Sequence, residues 1–112
     1  MTFKYNDISP DLIKGLKMTY VNTTSFTIGT GDCMDSTNQR QIRNKASITV
    51  AITGGVGANG LDAGTEATST WYAAFVIHGF GQTTAGLLST SATSPTLPAN
   101  YTVFRRIGWV YN

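Results

Sequence analysis

The chain has 112 residues, of which 41% are hydrophobic and 12% are charged. This length corresponds to one domain that buries about 65% of its unfolded surface, so we expect association with other copies to add stability. The net charge of +2 is too small for the basic stripe that nucleic-acid binding requires. Charged residues make up about half of the usual share of roughly 25%, which argues against partners that are recruited mainly by charge.

Cys33 is the single cysteine, which excludes an internal disulfide and a thiolate zinc cluster. The commonest role of such a residue is a buried, inert one, and we predict it here. The first ten residues lack the apolar core of a signal peptide, and no apolar run approaches the roughly 20 residues of a membrane span. We therefore predict synthesis in a cytoplasm, with no membrane and no nucleic acid as partner.

The predicted elements are short strands separated by turns. The chain begins with a polar arm, residues 1–10, and Pro10 terminates it. Residues 11–16 contain helical spacings that Gly15 limits to about one turn. Alternating or continuous apolar residues then predict strands. In chain order these are residues 17–21, 25–28, 41–44, 46–53, 71–78, 84–89 and 101–111.

Two of these strands have the strongest signals. From Ile48 onward, residues 46–53 place apolar side chains at every second position, as in a strand buried on one face. Residues 71–78 are apolar on both faces and are predicted to be central in a sheet. Several short strands with turns between them predict an all-β fold, an antiparallel β-sandwich of jelly-roll-like type, with residues 11–112 as its single domain.

Gly55-Val-Gly-Ala-Asn-Gly60 has the G-x-G-x-x-G spacing of a dinucleotide-binding turn. That function requires a helix whose N-terminus faces the pyrophosphate. The sequence that follows, LDAGTEATST, has no apolar helical stripe, and the last acid of the chain, Glu66, comes too early to hold the ribose. We therefore predict no cofactor and a loop, residues 54–70, whose glycines adopt positive φ angles or allow close backbone approach.

Two sets of residues suggest a catalytic site, but each set lacks a group that the reaction requires. His78 is the single histidine, and no G-x-S-x-G elbow supplies a serine nucleophile for it. Asp62 and Glu66 are two acids of the kind that form a glycosidase pair, but they share one loop without the aromatic residues of a sugar cleft. Loop capping is their expected role, and we predict no catalytic residue.

The segment at residues 29–38 has the composition of a turn and is rich in oxygen ligands. Its candidates for a calcium ion are Asp32, Asp35, Ser36 and Asn38, but their spacing differs from that of an EF-hand loop. Such side chains commonly bond to nearby backbone in turns. One histidine and one cysteine also cannot complete a zinc site, so no metal is predicted.

Arg105 and Arg106 are the only charged residues after Glu66. Neighbouring side chains in a strand point to opposite faces, so one arginine is predicted to face solvent and the other the core or a subunit contact. A buried guanidinium needs a carboxylate, for which Asp62 and Glu66 are the candidates. The alternative is that both arginines are edge charges that prevent aggregation between sheets.

Aromatic residues cluster in the two strands at residues 71–78 and 101–111, and core packing is the expected role of six of them. They are Trp71, Tyr72, Phe75, Phe104, Trp109 and Tyr111. For some of them the alternative is an apolar subunit interface.

Three stretches stand out as a set. They are IGTGDCMDSTN at residues 28–38, GLDAGTEATSTWYAAFVI at residues 60–77 and LLSTSATSPTLPANYTVFRRIGWV at residues 87–110. Together they resemble a module common in virion proteins of tailed bacteriophages, including tail fibres, head fibres and other surface appendages. The third stretch is the most specific, and the resemblance covers about residues 11–110.

This resemblance implies a non-enzymatic virion module, commonly a homotrimer and often carried at the end of a longer fibre. About ten residues precede the module here, which favours a small decoration or head-fibre-like protein bound to capsid or tail proteins at the particle surface. The candidate attachment arm contains Phe3, Lys4 and Tyr5. The alternative is a tail-associated adhesin that binds a host cell-surface glycan, with Trp109 or Tyr111 as candidate contacts.

Overall fold

The computed structural model describes residues 2–5 and 13–112. Within these residues the secondary structure consists of strands, without a helix. In chain order they are β1 (Thr2–Tyr5), β2 (Ile13–Gly15), β3 (Met18–Asn22), β4 (Ser25–Ile28), β5 (Gly31–Met34), β6 (Gln41–Asn44), β7 (Ile48–Ala51), β8 (Trp71–His78), β9 (Ala85–Ser89) and β10 (Val103–Tyr111). The predicted all-β fold is confirmed.

The paired strands are antiparallel and form three sheets. The large sheet has the order β1-β10-β8-β9, and the two small sheets have the orders β2-β5-β6 and β3-β4-β7. The small sheets are continuous with each other, because the N–H of Leu16 donates to the Thr30 carbonyl at 3.0 Å and the N–H of Gly29 donates to the Lys17 carbonyl at 2.9 Å. These bonds extend one ladder from the β2–β5 pair to the β3–β4 pair.

The main core contains buried residues from all three sheets. The small sheets contribute Met18, Phe26, Ile28, Cys33, Ile42, Ile48 and Val50, and the large sheet contributes Tyr72, Ala74, Val76, Leu88, Ile107 and Val110. Burial of a large apolar side chain contributes about 1.5–3 kcal/mol. The one-sided burial predicted around β7 is confirmed, since Thr49 is exposed between the buried Ile48 and Val50. This arrangement is consistent with a β-sandwich.

A second cluster covers the other face of the large sheet. It joins Ala73, Phe75, Ile77, Ala85 and Leu87 of β8 and β9 with the partly buried Leu97, Tyr101, Phe104 and Trp109. Leu97 and Tyr101 belong to the loop between β9 and β10, which therefore packs on the sheet. β8 is buried on both faces and lies between β10 and β9, as its apolar sequence predicts.

Two local predictions are wrong. Residues 29–38 are predicted as a turn, but β5 occupies part of this segment and pairs with both β2 and β6. Residues 13–15 are predicted within a helical turn and form β2 instead, whereas residues 11 and 12 lie outside the described residues. In both segments the pairing with neighbouring strands outweighs a weak local preference.

Trp71 corrects the prediction that the aromatic residues of the two strong strands are core residues. Tyr72 and Phe75 are buried, but the Trp71 side chain is 43% exposed. Trp71 is the first residue of β8, and its ring packs on that of Tyr111 at a centroid distance of 5.0 Å. Because the ring is not buried, the cost of about 3–5 kcal/mol for truncating a core aromatic does not apply to it.

The beginning of the predicted arm is part of the large sheet. β1 pairs with β10 along its whole length, and the ring of Phe3 meets that of Phe26 edge-on at a centroid distance of 5.7 Å. Residues 6–10 of the arm lie outside the described residues. The attachment role of Phe3, Lys4 and Tyr5 stays a prediction.

Candidate functional site: a polar groove beside His78

A groove of about 580 Å³ opens between the β6–β7 connection and the turn that joins β8 to β9. This volume lies within the range of roughly 300–1,000 Å³ that is usual for small-molecule sites. We call it the polar groove, and its lining residues are Arg43, Asn44, Lys45, Ala46, Ser47, Ile48, Thr49, Asn59, His78, Gln82, Thr83 and Thr84.

The turn after β8 forms one wall of the groove. β8 ends at His78, and the N–H of Gln82 donates to the carbonyl of Gly79 at 2.9 Å. Gly81 has a φ of 77°, which is the conformation required at the third position of a type II turn. The turn leaves Phe80 95% exposed, and His78 and Gln82 on either side of it both line the groove.

A chain of hydrogen bonds orients the imidazole of His78. The Thr84 hydroxyl donates to the main-chain carbonyl of Arg43 at 2.7 Å, and its Oγ1 lies 3.2 Å from Nδ1 of His78. A hydroxyl has one proton, so Thr84 must accept from Nδ1–H of His78. The neutral imidazole then carries its lone pair on Nε2, which has no hydrogen-bond partner among the described residues.

Two asparagines support the other walls. Nδ2 of Asn44 donates to the carbonyl of Gly29 at 2.9 Å. Gly86 holds both the backbone and the side chain of Asn59, since the Asn59 N–H donates to the Gly86 carbonyl at 2.7 Å and the Asn59 Oδ1 accepts the Gly86 N–H at 2.9 Å. The φ of Asn59 is 66°, a left-handed conformation that asparagine tolerates. Its Nδ2 remains available at the groove.

The charge of the groove is positive. Nε of Arg43 lies 3.0 Å from Oδ1 of Asp32 in an exposed ion pair, and such pairs contribute little to stability. Lys45 is exposed and forms no ion pair with any described residue. Among the described residues, no carboxylate lines the groove. An arrangement of this kind favours a ligand that carries negative charge and hydroxyl groups.

The two arginines of β10 lie outside this groove and in different surroundings. Arg105 is 7% exposed, and its Nε has no hydrogen-bond partner within the described part of the chain. Nη1 of Arg106 donates to the Ala92 carbonyl at 2.9 Å, and its guanidinium lies 5.4 Å from the centroid of the Trp109 ring. Arg105 is therefore the buried arginine of the pair.

Asp62 and Glu66 connect loops and do not pair with either arginine. Oδ2 of Asp62 accepts the N–H of Thr96 at 2.9 Å, and Oε2 of Glu66 accepts Nδ2–H of Asn112 at 3.0 Å. The ion pair expected between these acids and Arg105 or Arg106 is absent. Loop capping, the role predicted in place of a glycosidase pair, is what both carboxylates perform.

Asp35 organises the turn between β5 and β6. It is 4% exposed, and its carboxylate accepts N–H groups of Gln39 at 2.9 Å and Arg40 at 3.2 Å and the hydroxyl of Thr37 at 2.9 Å. Burial raises the pKa of Asp35, but these hydrogen bonds outweigh burial and hold the pKa below its ordinary value. In the described ranges no three histidine, cysteine or acidic side chains gather as a metal site.

Cys33 is buried on β5, as predicted. Burial raises the pKa of its thiol to about 12, the positive charge of Arg105 opposes this shift, and the charges of Asp32 and Asp35 add to it. The thiolate is the reactive form of cysteine. Cys33 is therefore an inert core residue at neutral pH.

The G-x-G-x-x-G stretch is a compact loop. Gly55 and Gly57 have φ angles of 80° and 139°, and the N–H of Leu61 donates to the carbonyl of Gly55 at 2.9 Å. A side chain at Gly60 would overlap the Gly55 carbonyl. The predicted reasons for these glycines, positive φ and close backbone approach, are confirmed.

Sequence reasoning identified only His78 among the groove residues. Lys45 belongs to no recognisable motif, and Asn59 occupies a variable position of the G-x-G-x-x-G stretch. The fold brings them to one groove from separate segments. The one available signal was the placement of a histidine at the end of an apolar strand.

No family model, no curated protein and no solved structure matches this chain. Within the described residues, no helical segment has the length and apolar character required to cross a membrane.

Proposed function

We propose that this chain is a non-enzymatic structural protein at the surface of a tailed-phage particle, a jelly-roll-like β-sandwich that attaches to capsid or tail proteins. One observation carries the proposal. The three stretches that resemble phage appendage modules contact one another in the fold, and their polar residues fix its loops.

The contacts between the stretches are hydrogen bonds. The N–H of Ser36 in the first stretch donates to the Phe104 carbonyl in the third at 2.8 Å. The carboxylate of Asp62 in the second stretch accepts the N–H of Thr96 in the third at 2.9 Å. A sequence signature made of such contacts preserves a shape, which supports a role that depends on display and attachment.

The RRIG part of the third stretch also holds a loop in place. Arg106 holds the carbonyl of Ala92 in the loop between β9 and β10, and it lies over Trp109 of its own strand. This contact fastens the serine- and threonine-rich loop to the large sheet. Because the loop is held in one conformation, it would present a fixed shape at the particle surface.

We further propose that the protein is a homotrimer. Tyr20 and Val21 are 52% and 51% exposed on β3, an edge strand of its sheet. Exposed apolar residues on an edge strand are suited to a subunit contact. A cyclic trimer would cover them and match a three-fold position on a particle.

The proposal is tested by counting copies per particle. Quantitative mass spectrometry of purified particles of the encoding phage, calibrated against the major capsid protein, gives this number. A copy number comparable to that of the capsid protein identifies a decoration protein, and a few trimers per particle identify a fibre or a tail module. Absence of the chain from purified particles would overturn the proposal.

A tail-associated adhesin is the second candidate, and the aromatic pair of Trp71 and Tyr111 favours it. Trp71 presents 43% of its side chain to solvent beside the partly buried Tyr111, and exposed aromatic rings are suited to stacking against sugars. Labelled protein should then bind host cells, and Trp71→Ala should weaken that binding by about tenfold or more. Equal binding by the variant would remove this candidate.

A further inference from the structure

We propose that the polar groove is a binding site for an acidic sugar, a ligand that presents one carboxylate and several hydroxyl groups. This goes beyond the proposed structural role, which requires no such site. It is also separate from the aromatic pair at Trp71 and Tyr111, because neither residue lines the groove.

The charge of the ligand follows from the lining. Lys45 and Arg43 are the cations of the groove, and the ion pair of Arg43 with Asp32 leaves Lys45 as the stronger attraction for an anion. Hydrogen bonds between a cation and a carboxylate are roughly twice as strong as neutral ones. Since no carboxylate of residues 2–5 and 13–112 lines the groove, one negative group on the ligand would complete its charge balance.

The hydroxyl groups of the ligand follow from His78. The Thr84 contact places a proton on Nδ1 of His78, so in the neutral form of the imidazole Nε2 presents a lone pair. This lone pair attracts a hydroxyl proton and repels the acceptor oxygens of phosphate. A ligand for this groove must therefore donate hydrogen bonds as well as accept them, as sugar hydroxyls do.

The remaining lining suits the same ligand. Nδ2 of Asn59 is a donor, because the Oδ1 of this side chain is engaged with Gly86, and Ser47 and Thr83 add hydroxyls that donate or accept. The asparagine and the imidazole are both held by hydrogen bonds in the free protein. Such preorganised groups lose little freedom when a ligand binds.

The test is an NMR titration of the whole ¹⁵N-labelled chain at constant pH and ionic strength. The probes are D-glucuronate, D-galacturonate and N-acetylneuraminate, with D-glucose, acetate and inorganic phosphate for comparison. We expect at least one acidic sugar to shift the amide signals of Asn59 and Thr84 in a saturable way. Glucose has the hydroxyl groups without the carboxylate, and acetate has the carboxylate without the hydroxyl groups. Each should bind at least about tenfold more weakly than the acidic sugar.

Two variants and one control identify the groove as the site. Lys45→Gln should weaken binding of the acidic sugar about fivefold or more, and His78→Phe should also weaken it by removing the Nε2 acceptor. Lys17→Gln removes an exposed lysine outside the groove and should leave binding unchanged. A dispersed amide spectrum of each variant confirms that it is folded.

Three results would overturn the inference: no saturable shift with any of the three acidic sugars, equal affinity for inorganic phosphate, or equal losses in Lys45→Gln and Lys17→Gln. None of them would contradict the proposed particle role, which depends on the copy number alone.

Discussion

Asp35 is a buried carboxylate whose function in this molecule is structural. Replacement by alanine leaves the N–H groups of Gln39 and Arg40 and the hydroxyl of Thr37 without their acceptor. We expect Asp35→Ala to lower the free energy of unfolding by about 1–3 kcal/mol, measured by urea denaturation. Asp32→Ala is the matched control, because it removes an exposed ion pair and should cost less than about 1 kcal/mol.

The lowered pKa of Asp35 also predicts a dependence on pH. Its folded pKa lies below the ordinary value of 3.8, so its stabilising contribution is present above that value and is lost as the pH falls through the folded pKa. The wild type should therefore lose more stability than Asp35→Asn when the pH is lowered below about 4. Parallel acid denaturation curves for the two proteins would contradict this prediction.

Arg105 and Arg106 allow a comparison of two adjacent arginines in one strand. Arg105→Met replaces a buried guanidinium that lacks a carboxylate partner among the described residues, so stability should change by less than about 1 kcal/mol or increase. Arg106→Met removes the bond to Ala92 and the contact with Trp109 and should cost about 1–2 kcal/mol. A larger loss in Arg105→Met, measured by thermal denaturation, would show that Arg105 has a counter-charge.

Cys33 gives a prediction at alkaline pH. Its folded pKa of about 12 exceeds the ordinary value of 9.0, so the stability that it contributes is complete below 9.0 and is lost as the pH rises through about 12. Compared with Cys33→Ala, the wild type should lose more stability across this interval. At neutral pH the folded protein should resist alkylation by iodoacetamide, and reaction at the rate seen in urea would contradict the burial of the thiol.

At the scale of elements, Gly79 fixes the turn between β8 and β9 against the loop before β10. A methyl group at Gly79 would overlap the carbonyl of Asn100, so Gly79→Ala should cost about 1–3 kcal/mol and shift amide signals near Asn100. Gly64→Ala is the control, because its methyl group meets no atom within 4 Å and its φ of 75° alone costs about 1–2 kcal/mol. Amide shifts near Asn100 that are the same in both variants would contradict the packing argument.

The elements that the sequence predicted are those whose burial leaves a periodic pattern. β7 is buried on one face, and its apolar residues occur at every second position. β8 is buried on both faces, and its apolar residues follow one another along the strand. β5 was not predicted, because it contains glycine and aspartate and only Cys33 of its four residues is buried. Its strand conformation depends on hydrogen bonds to β2 and β6, which no local pattern encodes.

The groove could not be predicted for a related reason. Thr84 reaches the backbone of Arg43 across 41 positions of sequence, and this contact determines which nitrogen of His78 carries the proton. The chemical character of the imidazole therefore depends on tertiary pairing. Composition identifies His78 as the single histidine, but it does not indicate which ring nitrogen carries the proton.

For the whole molecule, the proposed trimer gives a direct prediction. Sedimentation equilibrium should give a mass three times that of the 12.0 kDa chain. The bulge between Tyr20 and Asn22 in β3 exposes Val21, so Val21→Lys should shift the protein towards the monomer. Thr49→Lys, an exposed change on β7, should not have this effect. A monomeric wild type at all concentrations would contradict the proposal.

The pairing of β1 with β10 also determines how the molecule responds to force. Thr2 lies opposite Tyr111 in this antiparallel pair, so the start of β1 and the end of β10 lie side by side at one end of the large sheet. A pull between them loads the hydrogen bonds one pair after another, like a zipper, and not all at once in shear. The fold should therefore yield at low force when stretched by its ends, and it could be inserted into a surface loop of another protein with little distortion of either partner.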